Sequence, residues 1–220
     1  MRKIKFVAGG FYHIYNRGAR KGEIFYDDGD RLRFIYSMYK ANSVKPVSNL
    51  NRMISRQNVQ GLALNKLEDR FTNICYFALR PNHFHITLQQ EKDEGVQIFM
   101  HRLGTSYTMY FNKKYNKSGV LFQGPFQAIP IEDDSYLMQI SQYTHLNPLK
   151  AIEPEFREKG VKDFDKAKHF LRNYRWSSYL DYIGIENFPF LINNQLHNGY
   201  FGTPIEYEKF VLSGMKLFKA

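Results

Sequence analysis

The sequence has a single cysteine and no long apolar run. Cys75 has no partner for an intramolecular disulfide, which excludes a disulfide-stapled scaffold and favours a reducing compartment. No stretch reaches the roughly 18 consecutive apolar residues of a transmembrane helix, and residues 1–10 lack the apolar core of a signal peptide. We therefore expect a soluble cytoplasmic protein.

Acidic residues are scarce in the first part of the chain. Residues 1–150 carry 21 Lys and Arg against 12 Asp and Glu, a net charge of +9, whereas residues 151–220 carry 10 against 9, a net charge of +1. A basic surface attracts polyanions, of which nucleic acid is the commonest. Charge alone does not establish nucleic-acid binding, because many basic proteins bind none.

The strand-like segments predict an antiparallel sheet. Residues 11–15 and 71–79 are apolar and β-prone, and the second segment turns through residues 80–82 into a strand beginning at His83, as in a hairpin. Residues 121–131 also resemble a strand, in which Gly124-Pro125 predicts a bulge or an edge position.

Helical patterns alternate with these strands. One helix starts near Asp27 and Asp28, a second carries an apolar stripe over residues 96–111 with Asp93 or Glu94 as its cap, and a third covers residues 132–146. The order predicts an α+β fold, with helices on one face of a mainly antiparallel sheet. The polar residues 41–66 are expected to form an extended connection and are the segment most prone to disorder.

Two histidines lie two residues apart in the strand that begins at His83. Alternation places His83 and His85 on one face, while Phe84 and Ile86 point to the opposite face. The apolar side chains can join a core, whereas the two imidazoles form half of a metal site. The alternative interpretation is a pair of surface histidines.

The third predicted helix offers polar partners for such a site. Tyr136, Tyr143 and Asn147 lie on one stripe of this helix, and Tyr143 and Asn147 are one turn apart. Taken alone, the last two could simply hydrogen-bond to each other, and Asn147 could be a helix terminator before Pro148.

Three segments together resemble a known family. Residues 11–18 (FYHIYNRG), 81–85 (PNHFH) and 143–148 (YTHLNP) resemble the single-tyrosine HUH transposases, also called IS200-like transposases, and in particular the REP-associated tyrosine transposases. The resemblance covers roughly residues 8–150 and extends more loosely to residues 175–179.

The resemblance implies a ferredoxin-like core that cleaves and rejoins single-stranded DNA through a covalent 5′-phosphotyrosine. Tyr143 matches the nucleophile, and His83, His85 and Asn147 match the ligands of a divalent ion, Mg²⁺ or Mn²⁺. Tyr136 is the alternative nucleophile. The implied substrate is single-stranded or hairpin DNA from hairpin-forming repeats, bound by a monomer or homodimer associated with the nucleoid.

Basic residues near strand ends and at one helix end are the candidates for DNA contacts. We predict a nuclease domain at residues 1–150 and a packed, aromatic-rich extension at residues 151–220. A catalytically idle, hairpin-binding regulator is the alternative function, whereas a two-histidine phosphoesterase lacks its second His-x-Thr element. The candidates for DNA contacts are Arg17, Arg20, Lys21, Arg80, Lys113, Lys114 and Lys117.

Overall fold

The structure is a computed structural model that describes residues 4–47, 64–193 and 199–216. Most of the connection predicted at residues 41–66 lies outside the described residues. Within the described ranges, no helix combines the length and apolarity needed to span a bilayer.

Four strands form one antiparallel sheet, as the sequence predicts. They are β1 (Phe11–Arg17), β2 (Thr72–Arg80), β3 (His83–Gln90) and β4 (Gln127–Ile131), in the spatial order β2-β3-β1-β4. The strand β4 occupies an edge, where Pro130 is tolerated. It begins later than predicted, because Gly124 adopts a φ of 154° just before it.

Helices cover both faces of this sheet. The helices α1 and α2 pack on the face of Phe84, where Phe34 of α1 lies with its ring centroid 5.1 Å from that of Phe84. The helix α3 lies across the opposite face. These elements confirm the α+β class, whereas the prediction that the helices lie on one face is wrong, because α3 covers the polar face of the sheet. The helices are α1 (Asp28–Asn42), α2 (Gly95–Tyr115), α3 (Asp134–Leu146), α4 (Phe156–Lys159), α5 (Phe164–Asn173), α6 (Tyr179–Tyr182) and α7 (Pro204–Ser213), with 3-10 turns at Ala19–Lys21 and Asn147–Ala151.

The start of α1 is fixed by a carboxylate network. Asp27 caps the helix by accepting a hydrogen bond from the Asp30 amide at 2.8 Å, and Asp30 is fully buried. Lys114, near the end of α2, lies 2.7 Å from both carboxylates. The ion pairs of Lys114 therefore link α2 to the start of α1.

The predicted cap of α2 is wrong. Glu94 is the residue before the helix, but it has a φ of 55° and its side chain makes no capping hydrogen bond. The Val96 amide instead donates to Gln90 Oε1 at 3.2 Å. Gln90, at the end of β3, therefore provides the capping interaction that the sequence predicts for Asp93 or Glu94.

The segment after residue 150 packs along the free side of β2. The Leu79 amide donates to the Trp176 carbonyl at 2.8 Å, and the Ser178 amide donates to the Phe77 carbonyl at 3.0 Å. These bonds satisfy backbone groups that an edge strand would otherwise expose. The extension is thereby attached to the sheet itself.

A buried histidine joins this extension to α3. His145 is fully buried, with its Nε2 2.7 Å from Ser178 Oγ and its Nδ1 2.6 Å from the hydroxyl of Tyr207 on α7. Both ring nitrogens of His145 are thus hydrogen-bonded to side chains of the C-terminal extension. The interaction holds α3, and therefore Tyr143, against both the extension and the sheet.

We predict that Tyr207→Phe destabilises the protein by about 1–3 kcal/mol, because His145 Nδ1 loses a buried hydrogen-bond partner. The measurement is urea-induced unfolding. Tyr136→Phe, which alters a half-buried tyrosine on α3, is the control and should have a smaller effect. Equal free energies of unfolding for the two variants would contradict the role assigned to this bond.

Candidate active site

The pairing of β1 with β3 assembles a row of polar side chains beneath α3. Tyr15 pairs with His85 and Arg17 pairs with His83, so these side chains share a face. His13 lies on the same face, one pair further along. The register therefore brings a third histidine to the pair predicted from the sequence.

His13 is in direct contact with His85. Its Nε2 lies 3.0 Å from His85 Nδ1, and the two rings are stacked with centroids 5.1 Å apart. His13 is 3% exposed and His85 is 7% exposed. Sequence reasoning missed His13. Alternation places it on the polar face of β1, but only the register between two strands distant in sequence places it beside His85.

Both predicted ligand histidines have Nδ1 engaged. His83 Nδ1 lies 2.6 Å from Asn82 Oδ1, and His85 Nδ1 faces His13. An amide oxygen can only accept, so His83 Nδ1 carries the proton and its Nε2 keeps a lone pair. Metal-binding histidines are typically oriented by such a bond from the other ring nitrogen.

Asn147 lies beside both predicted ligand histidines. Asn147 Nδ2 lies 3.4 Å from His85 Nε2, and this side chain also hydrogen-bonds to His83. Its Oδ1 accepts a bond from Arg80 Nη1 at 3.4 Å. Rotating the amide would turn its oxygen toward the imidazoles.

Burial keeps these imidazoles neutral. It lowers the pKa of His13 to about 4 and is the largest cause of a similar pKa for His83, to which the nearby Arg80 also contributes. Burial likewise sets the pKa of His85 well below its usual value, with His13 and His83 adding to the shift. Neutral imidazole is the form that binds a metal ion.

The two histidines, His83 and His85, are too few to hold a divalent ion unless the side-chain amide of Asn147 also binds it. In the part of the chain that the structure describes, no group of three His, Cys, Asp or Glu side chains is placed to hold a metal. Two imidazoles and the Asn147 oxygen would be the protein ligands, and they would leave positions for phosphate and water. The imidazoles of His83 and His85, each held through its Nδ1, suit such a donor set.

Tyr143 lies over the imidazoles. The helix α3 starts where Asp133 accepts a hydrogen bond from the Tyr136 amide at 2.8 Å. Two turns later, the ring of Tyr143 stands nearly perpendicular to those of His13 and His85, with centroids 5.9 and 5.5 Å away. Tyr136 lines the same cleft, but no ring pair joins it to either histidine in the described ranges.

Arg157 covers the ring of Tyr143. Its Cζ lies 3.7 Å from the ring centroid, and its Nη2 donates to the Tyr143 carbonyl at 3.3 Å. Arg157 belongs to α4 in the C-terminal extension, where no motif singled it out. Only the tertiary contact of α4 with α3 identifies it.

Two clefts meet at the histidines. One encloses about 830 Å³ and includes Tyr136, Tyr143 and Arg157, while the other encloses about 710 Å³ and includes Arg17 and Lys21. Both clefts contain Tyr15 and His85, and neither is lined by a carboxylate in the described structure. This electrostatic environment suits an anionic chain that passes the imidazoles.

The structure divides the predicted DNA-contact residues into two groups. Arg17 and Lys21 line a cleft, Arg80 contacts Asn147, and Arg20 is exposed in the neighbouring 3-10 turn. The remaining three are on α2 and its end, on the opposite side of the sheet, and the structure does not bring them to the histidines. They are Lys113, Lys114, which is ion-paired, and Lys117, which lies over Tyr26.

Comparisons with known proteins agree with this architecture. Residues 47–147 match the family model described as "Transposase IS200 like". A solved structure of "the REP associates tyrosine transposase bound to a REP hairpin" aligns over 88% of this chain and 90% of that chain, with a TM-score of 0.53 and 12% sequence identity. The search of curated proteins found no match.

Residues 47–147, somewhat less than half of the chain, are therefore similar to the IS200-like transposase family, as the motifs at residues 81–85 and 143–148 predict. The chain as a whole shares the fold of a REP-associated tyrosine transposase. At 12% identity the structural likeness concerns the fold alone.

We predict that His13→Phe weakens Mn²⁺ binding about 10–100-fold, because His85 Nδ1 loses its buried hydrogen-bond partner while the ring volume is kept. Isothermal titration of the DNA-free protein with MnCl₂ measures the affinity. His101→Phe, at an exposed histidine of α2, is the control. An unchanged affinity in His13→Phe would contradict the orienting role of His13.

Proposed function

We propose that this chain is a metal-dependent transposase that cleaves and rejoins single-stranded DNA, with Tyr143 as the nucleophile. One observation carries the proposal: Tyr143 lies over His13 and His85, while Asn147, one turn further along the chain, faces His83 and His85. Three segments distant in sequence thus converge on one point. Neither packing nor capping requires that convergence.

The reaction is an exchange of phosphate esters. The phenolic oxygen of Tyr143 attacks phosphorus, the bond between phosphorus and the 3′-oxygen breaks, and the phenolic proton leaves to solvent as the 3′-oxygen takes up a proton. The products are a 5′-phosphotyrosine and a free 3′-hydroxyl. Attack of a 3′-hydroxyl on the phosphotyrosine reverses the step and rejoins the DNA. No ATP is needed, because each transfer forms one phosphate ester as it breaks another.

His83, His85 and Asn147 would hold the divalent ion. When bound, Mg²⁺ or Mn²⁺ would polarise the phosphate and offset its negative charge. A set with two nitrogen ligands suits Mn²⁺ at least as well as Mg²⁺, which prefers oxygen. The low pKa values of the imidazoles keep them available as ligands at neutral pH.

Substrate DNA would lie along the two clefts. Arg17 and Lys21 supply positive charge in one cleft and Arg157 supplies it in the other, while Tyr15 and Tyr136 offer surfaces for stacking bases. We propose single-stranded DNA beside a hairpin as the substrate, since the structural neighbour is bound to a REP hairpin. A nucleoid-associated location in the cytoplasm follows from this proposal.

We predict that Tyr143→Phe abolishes the covalent adduct with labelled single-stranded hairpin DNA in the presence of Mn²⁺, while DNA binding is kept. The hydroxyl is the nucleophile and contributes little to binding. Denaturing electrophoresis detects the adduct, and filter binding measures the affinity. Tyr136→Phe is the matched control on the same helix and should form the adduct.

Two results would count against this assignment. An adduct lost in Tyr136→Phe and kept in Tyr143→Phe would move the nucleophile to Tyr136. Hairpin binding by the wild-type protein with no adduct under any metal condition would instead favour the idle regulator.

We also predict that Arg17→Ala and Lys21→Ala each make the negative slope of log K against log[salt] for single-stranded DNA shallower by about 0.7, as expected for one lost phosphate contact. Affinities measured over a series of salt concentrations give the slope. Lys113→Ala, on the other side of the sheet, should leave it unchanged. A larger effect for Lys113→Ala would place the DNA on that side.

A further inference from the structure

We propose that Arg157 is a positioning residue that holds the Tyr143 ring for attack and presents its charge to the reacting phosphate. The inference rests on the proposed function and extends it to residues 151–220. The C-terminal extension then completes the active site.

The contact between Arg157 and Tyr143 restrains both the ring and the backbone. A Cζ-to-centroid distance of 3.7 Å is that of a guanidinium lying over the ring, and the Nη2 bond to the Tyr143 carbonyl at 3.3 Å fixes the guanidinium from a second direction. The same ring contacts the imidazoles of His13 and His85, so the guanidinium, the phenol and the imidazoles form one cluster.

The position of Arg157 is itself fixed. The preceding residue, Phe156, is 1% exposed and packs in the core. The Phe156 amide donates to the Glu153 carbonyl at 3.2 Å, and the Ile152 and Glu153 amides donate to the Leu149 carbonyl. The backbone from the end of α3 to α4 is thus a continuous series of turns, which gives Arg157 little freedom to leave Tyr143.

The charge of Arg157 is not neutralised by an ion pair with any carboxylate in the described residues. The adjacent Glu158 acts on it at longer range. The half-buried Arg80 lies near enough for the two guanidiniums to influence each other. Two cations beside buried neutral imidazoles create a site that an anion would stabilise, and a DNA phosphate has the required charge.

A guanidinium is better suited than an ammonium both to holding the Tyr143 ring and to contacting the phosphate. Its plane can cover the ring of Tyr143 while its edge keeps donors for a phosphate oxygen, whereas a lysine offers a point charge. A preorganised cation next to the developing charge would assist the chemical step more than the binding of DNA. Loss of Arg157 should therefore lower the rate of adduct formation more than the affinity for DNA.

The first test is single-turnover adduct formation at saturating hairpin DNA and Mn²⁺. We expect Arg157→Ala to lower the rate constant about tenfold or more, with the dissociation constant for DNA changed less than threefold. Arg157→Lys should recover part of the rate. Lys159→Ala, which removes a like charge from the same short helix where it pairs with Glu155, is the matched control.

The rates can overturn the proposal in three ways. Arg157→Ala reacting as fast as Lys159→Ala would show that Arg157 has no part in the reaction. A change confined to the dissociation constant would make Arg157 a DNA anchor only. Full activity in Arg157→Lys would show that the planar contact with the ring is unimportant.

A second test does not depend on activity, so its failure is distinct from failure of the proposed function. Protein labelled with 3-fluorotyrosine gives a ¹⁹F resonance for Tyr143, assigned by its loss in Tyr143→Phe. We expect Arg157→Ala to shift or broaden this resonance and Lys159→Ala to leave it in place. An unmoved resonance in folded Arg157→Ala would overturn the positioning role, even if the wild-type protein cleaves no DNA.

Discussion

The register between β1 and β3 is the constraint on which the candidate site depends. Because side chains alternate across a strand, a slip of one residue would send His13 and Tyr15 to the opposite face, among the core side chains around Phe84. The observed register places His13 against His85, whose Nε2 faces Asn147, while His83 lies beside the same asparagine. The apolar face sets that register, since Tyr12 and Ile14 are buried in the core.

The second requirement is that α3 stay across the polar face. On the side of that helix away from the sheet site, His145 forms buried hydrogen bonds with Ser178 and Tyr207. Both of these residues belong to the C-terminal extension. Arg157, from the same extension, holds the near side at Tyr143. The extension therefore supports the helix that carries the candidate nucleophile from two directions, and its role reaches beyond covering the sheet.

The sequence predicted those parts of the site that depend on local periodicity. Alternation placed His83 and His85 on one face, and helical spacing placed Tyr143 one turn from Asn147. Sequence reasoning missed His13 and Arg157, because their positions come from strand register and from packing of the extension, which local spacing does not encode. The same limit hides the ion pairs of Lys114 from sequence reasoning, because its partners, Asp27 and Asp30, lie more than eighty residues away. The prediction of the α2 cap was wrong for a related reason, because the capping oxygen comes from Gln90 at the end of β3.

The most direct measurement is the mapping of the covalent DNA adduct by mass spectrometry. Trypsin would release residues 118–150 as one peptide, because no Lys or Arg lies between Lys117 and Lys150. Fragmentation of that peptide distinguishes its two candidate tyrosines. The account predicts a nucleotide remnant attached through its 5′-phosphate to Tyr143. A remnant on Tyr136, or on any residue outside this peptide, would contradict it.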